Sequence, residues 1–428
     1  MRHVRTLPKR RRDPDGLPLL RGLVVVVAGI NFAPEHAGIG PYTTAACEHL
    51  HSIGAQVSVI TGLPHYPSWT LPRNYSRRLH VDEDYLGIPV RRLRHHVPSR
   101  SNAFSRMAYE LTFGANMVTQ LHTKRPDVIL AVIPSLAGSA AVSMLAASQG
   151  VPVVLWIQDL MGPAVKQSGI KGGGLLLGAT ERLERAVLKR AAAAIVINDA
   201  FARYVEDRGV QSSRIKLIRN WSHVEAPTCD RQARRQDLGW GPRETIVLHS
   251  GNMGFKQGLE SVITAGELAD RENLPVRFVL MGDGSQRGAL QRKAAGLDTV
   301  TFLQPVKEAD FTNVLSAADI LLVNERASVI DMSLPSKLTS YFRSGRPIVA
   351  SVPRGGATHL EVERSGAGIV APPDDAESLL KAIQQLQADP TRGRLGVAGQ
   401  RYATEHLDAR HALDALTQVL LSAARTPS

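Results

Sequence analysis

The stretch His249-Ser250-Gly251-Asn252-Met253-Gly254-Phe255-Lys256-Gln257-Gly258 joins an apolar strand, Ile246-Val247-Leu248, to a helix expected to begin near Leu259. Glycines and a lysine at a strand-to-helix turn suit a diphosphate. Glycine lets the backbone approach a ligand closely, a helix N-terminus offers unpaired N–H groups and partial positive charge, and Lys256 adds a whole charge. A tight turn with a solvated lysine explains the same letters, so the weight falls on what the rest of the chain places beside it.

Two other glycine turns occur at strand ends. Gly38 and Gly40 precede a helix after a first strand that ends at Gly29, and a phosphate cradle or a plain helix entry fits them equally. Gly282 and Gly284, with Gly288 further on, make a partial dinucleotide fingerprint. A nicotinamide or flavin cofactor would want a carboxylate at the end of the following strand to hold ribose hydroxyls. The strand Val57–Thr61 runs into Gly62 and the strand Val300–Leu303 into Gln304 and Pro305, so neither supplies one. That argues against NAD and FAD and leaves a nucleotide held by other means.

Gln158 and Asp159 follow the apolar run Val153–Ile157. Polar groups at the end of a buried strand are placed to bind sugar hydroxyls or assist proton transfer. A helix cap is the alternative for Asp159. Ser336 and Lys337 come just after Pro335, on the first turn of a helix expected over Thr339–Ser344. A cation there opposes the helix dipole unless an anion lies beside it. With Lys256, Lys337 would give one diphosphate two charges.

These residues need a scaffold that brings strand ends together. Apolar β-branched runs alternate with helical patterns from Leu23 to the 220s, through Leu23–Ala28, Val57–Thr61, Val90–Leu93, Val128–Ile133, Val153–Ile157, Ala194–Ile197 and Ile215–Ile218. Such an α/β series predicts a doubly wound parallel sheet. The series restarts with Thr245–Leu248 and runs through Arg277–Met281, Val300–Leu303, Ile320–Val323, Pro347–Ala350 and Gly368–Val370. The expected organisation is a basic tail over 1–22, a Rossmann-like domain over 23–222, a polar linker over 223–242, a second Rossmann-like domain over 243–405 and a C-terminal segment over 406–428. In that last segment Leu413, Leu416 and Leu420 share a helical face, so it should pack, with the N-terminal domain as the expected surface. Open parallel sheets bind ligands at the carboxyl ends of their strands, so two of them predict a site in the cleft between domains.

Composition limits the function classes. At 428 residues the chain exceeds one ordinary core, and 43% hydrophobic with 21% charged residues is normal for a globular protein. The two cysteines, Cys47 and Cys229, lie far apart, which suggests a reducing compartment and no structural metal. Between Asp127 and Asp159 no charged residue occurs, yet Pro134, Gly138, Gly150 and Pro152 divide that run into strand, helix and strand, so no membrane span is expected. The net charge is +12, and residues 1–22 hold seven basic side chains against Asp13 and Asp15. A basic tail suits an anionic lipid surface or a solvated extension. No nucleic-acid-binding module accompanies the charge, so nucleic acid is not an expected partner.

The motifs resemble the retaining glycosyltransferases of the GT-B fold in family four, and within them the colanic-acid and L-fucosamine transferase type. The matches are Asn31–Glu35 with Gly38-Ile39-Gly40, Pro64–Trp69, Trp156–Leu160, Asn220-Trp221, Ser250–Gly254 with Lys256-Gln257-Gly258, and Pro335–Leu338 with Gly345-Arg346-Pro347. Their order extends from about Leu23 to the C-terminus. The resemblance implies a UDP-sugar donor, retention at the anomeric carbon and no metal or other cofactor. It implies catalytic roles for Lys256, Asp159 and Lys337, and donor contacts at Gly38, Gly40, Ser250, Gly251, Asn252, Gly254, Gly282, Gly284, Gln304, Pro305, Ser336 and Leu338. Acceptor or sugar contacts fall on His65, Tyr66 and Gln158. The implied acceptor is a glycan, often polyprenyl-diphosphate-linked, met at the cytoplasmic face of the plasma membrane. The basic tail and the cluster Arg91, Arg92, Arg94, His95, His96, Arg100 and Arg106 would face anionic lipid there.

Three positions depart from the wider family. Asn252 stands where an arginine is expected, Met332 and Ser340 where a pair of glutamates is expected, and Gln158 where a histidine is expected. Glu325 is a further carboxylate nearby in sequence. A UDP-sugar epimerase of the same build would need carboxylates and a histidine assembled together, and the sequence does not group them. A non-catalytic partner in polysaccharide assembly is the rival that the departures favour.

Overall fold

The structure is a computed structural model that describes residues 20, 22–36, 38–66, 68–75, 78–98, 103–119, 125–160, 174–328 and 337–425. The tail of residues 1–19, Arg100, the side chain of Arg106, Met332, Pro335 and Ser336 lie outside them. The chain divides into two compact units, Met1–Arg219 with Arg410–Ser428, and Asn220–Ala409.

The first unit is built on strands β1 (Val24–Gly29), β2 (Gln56–Gly62), β3 (His80–Tyr85), β4 (Ile88–Leu93), β5 (Val128–Ile133), β6 (Val153–Ile157), β7 (Ala193–Val196) and β8 (Ile215–Leu217). Their order is β3-β4-β2-β1-β5-β6-β7-β8, parallel except for the β3–β4 hairpin. Valine and isoleucine fill β5 and β6 because helices cover both faces, which removes any need for alternation. The charge-free run from Val128 to Ile157 is thereby strand, helix Leu136–Gln149 and strand. Ser135 caps that helix by accepting from the Gly138 N–H, and left-handed Gly150 ends it. No described helix is long and apolar enough to cross a membrane.

The second unit holds β9 (Thr245–Ser250), β10 (Val276–Met281), β11 (Val300–Leu303), β12 (Ile320–Asn324), β13 (Ile348–Ser351) and β14 (Gly368–Ala371). Their order is β11-β10-β9-β12-β13-β14, all parallel. The connections reverse direction between β9 and β12, which makes that the topological switch point of the sheet. Both units are therefore Rossmann-like.

Two elements carry no apolar periodicity in the sequence. Strand β3 is a polar edge, held by cross-strand charge pairs: Arg91 Nε lies 2.6 Å from Asp82 Oδ1, and Arg92 bonds Glu83. Within the polar stretch 223–242, helix Arg231–Asp237 forms and belongs to the second unit. Its anchor is Arg235, buried and bonded to Asp319 Oδ2 at 2.9 Å and to the carbonyls of Ala317, Gly241 and Glu244. The C-terminal helix Ala409–Arg425 belongs to the first unit, with Leu416 and Leu420 fully buried and Asp414 3.5 Å from His49.

The same pairs change the reading of the arginine cluster. Arg91 is neutralised by Asp82, Arg92 is buried against Glu83 and the Ala33 carbonyl, and His95 is buried, so these three do not form a free cationic surface. Cys47 is buried and Cys229 exposed, both as free thiols.

Candidate functional site

Strands β9 and β12 pair only through Ile320 with Val247 and Leu321 with Leu248. Beyond these residues the strands part, and helix Lys337–Ser344 reaches into the opening. The Tyr341 hydroxyl accepts the Ser250 N–H at 2.8 Å and lies 3.3 Å from the Leu322 carbonyl, bridging the two strand ends. Lys337 is one turn earlier on the same face. Its Nζ lies 3.3 Å from His249 Nε2, and it is the nearest group to the space over Gly251, where an added Cβ would meet Nζ at 3.9 Å.

This corner is charged and poorly hydrated. Burial lowers the Lys337 ammonium to about 7, against a smaller raising effect from Glu325. Burial and the neighbouring lysine push His249 well below the ordinary imidazole range, so its ring is neutral. Glu325 directly follows β12, with its N–H bonded to the Ser351 carbonyl and Oε1 accepting from Thr358 Oγ1 at 2.8 Å.

The turn after β9 is fixed through its carbonyls. Asn324 Nδ2 donates to Gln257 O at 2.8 Å and Gly258 O at 3.0 Å, while Arg326 donates from its N–H to Lys256 O and from Nε to Phe255 O. The Arg326 guanidinium also covers the Phe255 ring at 4.1 Å and bonds Glu260. Lys256 is exposed on this braced turn. The neighbouring turn after β10 packs against it so closely that a Cβ on Gly282 would stand 1.9 Å from Gly251 O. The Asn252 side chain occupies the gap between Gly254 and Gly284, where added Cβ atoms would meet its amide at 2.9 and 2.6 Å. Glycine at 282 and 284 thus serves the close approach of two backbone turns.

Other expected residues fall elsewhere. Ser250 is buried and engaged by Tyr341, and Leu338 lies in the core, so neither presents a side chain to a ligand. Gln304 and Pro305 are exposed after β11, and Gln304 accepts from Arg287 at 3.0 Å.

In the first unit, Glu35 organises the loops after β1 and β2. Its carboxylate accepts the N–H groups of His65 and Tyr66 at 2.9 Å each and Asn31 Nδ2 at 2.8 Å. Gly40 packs on the Glu35 backbone and left-handed Gly38 on the Tyr66 ring, which accounts for both glycines as a folded-back turn. His65 is buried, with Nδ1 at 2.9 Å from Leu63 O and Nε2 at 3.1 Å from Tyr109 Oη. Gln158 is buried at the end of β6, and half-buried Asp159 accepts the Leu160 N–H at 3.1 Å. Residues 161–173, which follow, lie outside the described set.

Sequence signals could have pointed to His249, because a histidine inside an apolar run is unusual, and to Tyr341, four residues after Lys337. Glu35 and Trp69 sit inside the resembling motifs without being singled out. Among the described residues no group of three His, Cys, Asp or Glu side chains is placed to hold a metal ion.

In doubly wound α/β proteins, a parallel sheet opened at its switch point is where ligands bind, and here glycine turns and two lysines flank that opening. Residues 37–221 match the glycosyl transferase 4-like domain, and residues 244–389 match glycosyl transferases group 1. WcaI of Escherichia coli (strain K12), named for glycosyl transfer in colanic acid biosynthesis, is 30% identical over 404 residues, covering 91% of this chain and 97% of WcaI. The alpha-D-kanosaminyltransferase of Streptomyces kanamyceticus is 27% identical over 216 residues, covering 48% and 54%. The chain belongs to the group 1, family-4-like glycosyltransferases of the GT-B fold. Among solved structures, sucrose-phosphate synthase from Thermosynechococcus elongatus shares the fold at TM-score 0.71 and 18% identity, over 94% of this chain and 98% of that one. Anabaena HepE in complex with UDP-glucose does so at TM-score 0.66 and 16% identity, over 94% and 100%.

Proposed function

We propose that this glycosyltransferase moves a hexosyl group, of the amino or deoxy type such as N-acetylfucosamine, from a UDP-sugar to a glycan acceptor in polysaccharide biosynthesis. The observation that carries the donor side is the Gly251 turn, with Lys337 against it and Lys256 on it. UDP as the nucleotide is supported by the HepE complexes with UDP and UDP-glucose, and polysaccharide biosynthesis by the name of WcaI.

Transfer breaks the bond between the anomeric carbon and the diphosphate oxygen, so negative charge grows on the departing UDP. Preorganised donors and cations at that point lower the barrier, and loss of one such group costs about 10²–10³ in kcat. In this reading Lys256 and Lys337 hold the diphosphate, with Gly251, Asn252 and Gly254 giving backbone access. The acceptor oxygen bonds the anomeric carbon on the face that UDP leaves, and its proton passes to the departing phosphate. Retention and independence of metal belong to this scheme. Asp159 is assigned to orient the acceptor hydroxyl for that transfer.

The proposed acceptor is a polyprenyl-diphosphate-linked sugar, reached at an anionic membrane face through the basic segment 1–22. A panel of UDP-sugars offered with undecaprenyl-diphosphate-GlcNAc tests the reading. One donor should release UDP in step with product formation, with its anomeric configuration kept and with EDTA without effect. Inverted product, or transfer only with another nucleotide, contradicts it.

A further inference from the structure

The loop after β2 carries an exposed tryptophan in an expensive conformation. Trp69 is 41% exposed, and its φ is +53°, a left-handed backbone that bulky residues rarely adopt. Strain of this kind persists where surroundings enforce it and collects at ligand sites. The surroundings here are aromatic. Ring centroids of His65, Tyr66 and Tyr109 lie 5.5, 5.8 and 6.0 Å from the Trp69 ring, at interplanar angles of 60°, 85° and 59°.

That support is itself locked. His65 is held between Leu63 O and Tyr109 Oη, and Glu35 fixes the backbone of His65 and Tyr66. His95 packs 4.7 Å from His65 and 5.3 Å from Tyr109, and burial lowers its imidazole to about 3, so the layer beneath carries no charge from it. His95 Nε2 is buried with no hydrogen-bond partner among the described residues. Arg92, on the adjoining strand β4, bonds Glu83 and the Ala33 carbonyl.

We propose that Trp69 is a stacking platform for a pyranose ring of the acceptor. A sugar ring presents a face of C–H bonds that suits a broad, electron-rich indole, while its hydroxyls stay in water; the indole combines large apolar area with few rotatable bonds. A nucleoside diphosphate is held by cations, whereas the rings described against Trp69 are those of His65, Tyr66 and Tyr109. The inference rests on the glycosyl-transfer reading and adds a binding group to it.

Saturation-transfer NMR on the full chain tests it, with methyl glycosides of glucose, N-acetylglucosamine and fucose as probes and UDP as internal control. At least one glycoside should show ring-proton saturation that falls by at least about fivefold in Trp69→Ala and survives in Trp69→Phe, as base stacking on aromatic rings behaves on alanine substitution. The uracil signal should not change. Undiminished sugar saturation in Trp69→Ala, or none in wild type, overturns the platform. A uracil signal that falls with the sugar signal would assign the indole to the nucleotide. Loss of the UDP signal in wild type would instead strike the donor reading.

Discussion

The Nζ of Lys337 lies 3.3 Å from Nε2 of His249, so an amine and a neutral imidazole share a corner that holds at most one charge. The sheet sets this up: His249 is the fifth residue of β9, and Lys337 begins the helix that enters where β9 and β12 part. An anion over Gly251 would favour the charged lysine.

Proton uptake on UDP binding follows. Burial lowers Lys337 to about 7, which favours the neutral amine near pH 8, and a bound diphosphate raises its proton affinity. Calorimetry near pH 8 in two buffers of different ionisation enthalpy should find up to about one proton taken up. Lys337→Gln should abolish it. Uptake of equal size in that variant would place the titrating group elsewhere.

Stability should respond to the same lysine with a definite sign. Because its folded value is lowered, the unfolded chain binds more protons between about 7 and the ordinary lysine range, and stability rises with pH across that window. Urea unfolding at several pH values should show a shallower rise for Lys337→Met than for wild type.

Gly282→Ala should disrupt the second unit. The new Cβ would stand 1.9 Å from Gly251 O, at a φ of +144°, so the two turns must separate. A loss of about 1–3 kcal/mol or more is expected from overpacking, with UDP affinity falling too. An unchanged melting point with normal UDP binding would show that the turns move apart freely.

Tyr341→Phe leaves the Ser250 N–H without its acceptor in a buried crevice. Such an orphaned donor costs about 1–3 kcal/mol. Denaturant unfolding measures that directly, and amide exchange at Ser250 should quicken more than exchange in β6.

Much of this was legible in the letters, for reasons that differ by residue. Val128–Ile133 and Val153–Ile157 announce buried strands because both faces are covered, and the glycine turns mark where backbones must approach. Strand His80–Tyr85 was not legible, since its stability comes from pairing with Arg91 and Arg92, and register is invisible before the hairpin forms. The same pairing converts apparent surface charge into internal ion pairs. Helix Arg231–Asp237 rests on the buried arginine Arg235, which reads as solvent-facing in sequence. The meeting of Lys337 with His249 spans 88 residues and depends on strand order. Trp69 hid in a proline-rich loop, where its backbone conformation has no sequence signature.

If the turn after β9 holds a departing UDP with Lys256 among its charges, the rate of UDP release with the active donor and acceptor should differ between wild type and Lys256→Ala. The variant should show a fall in kcat of about 10²–10³ with folding intact by circular dichroism. Release at the wild-type rate in Lys256→Ala would contradict that role.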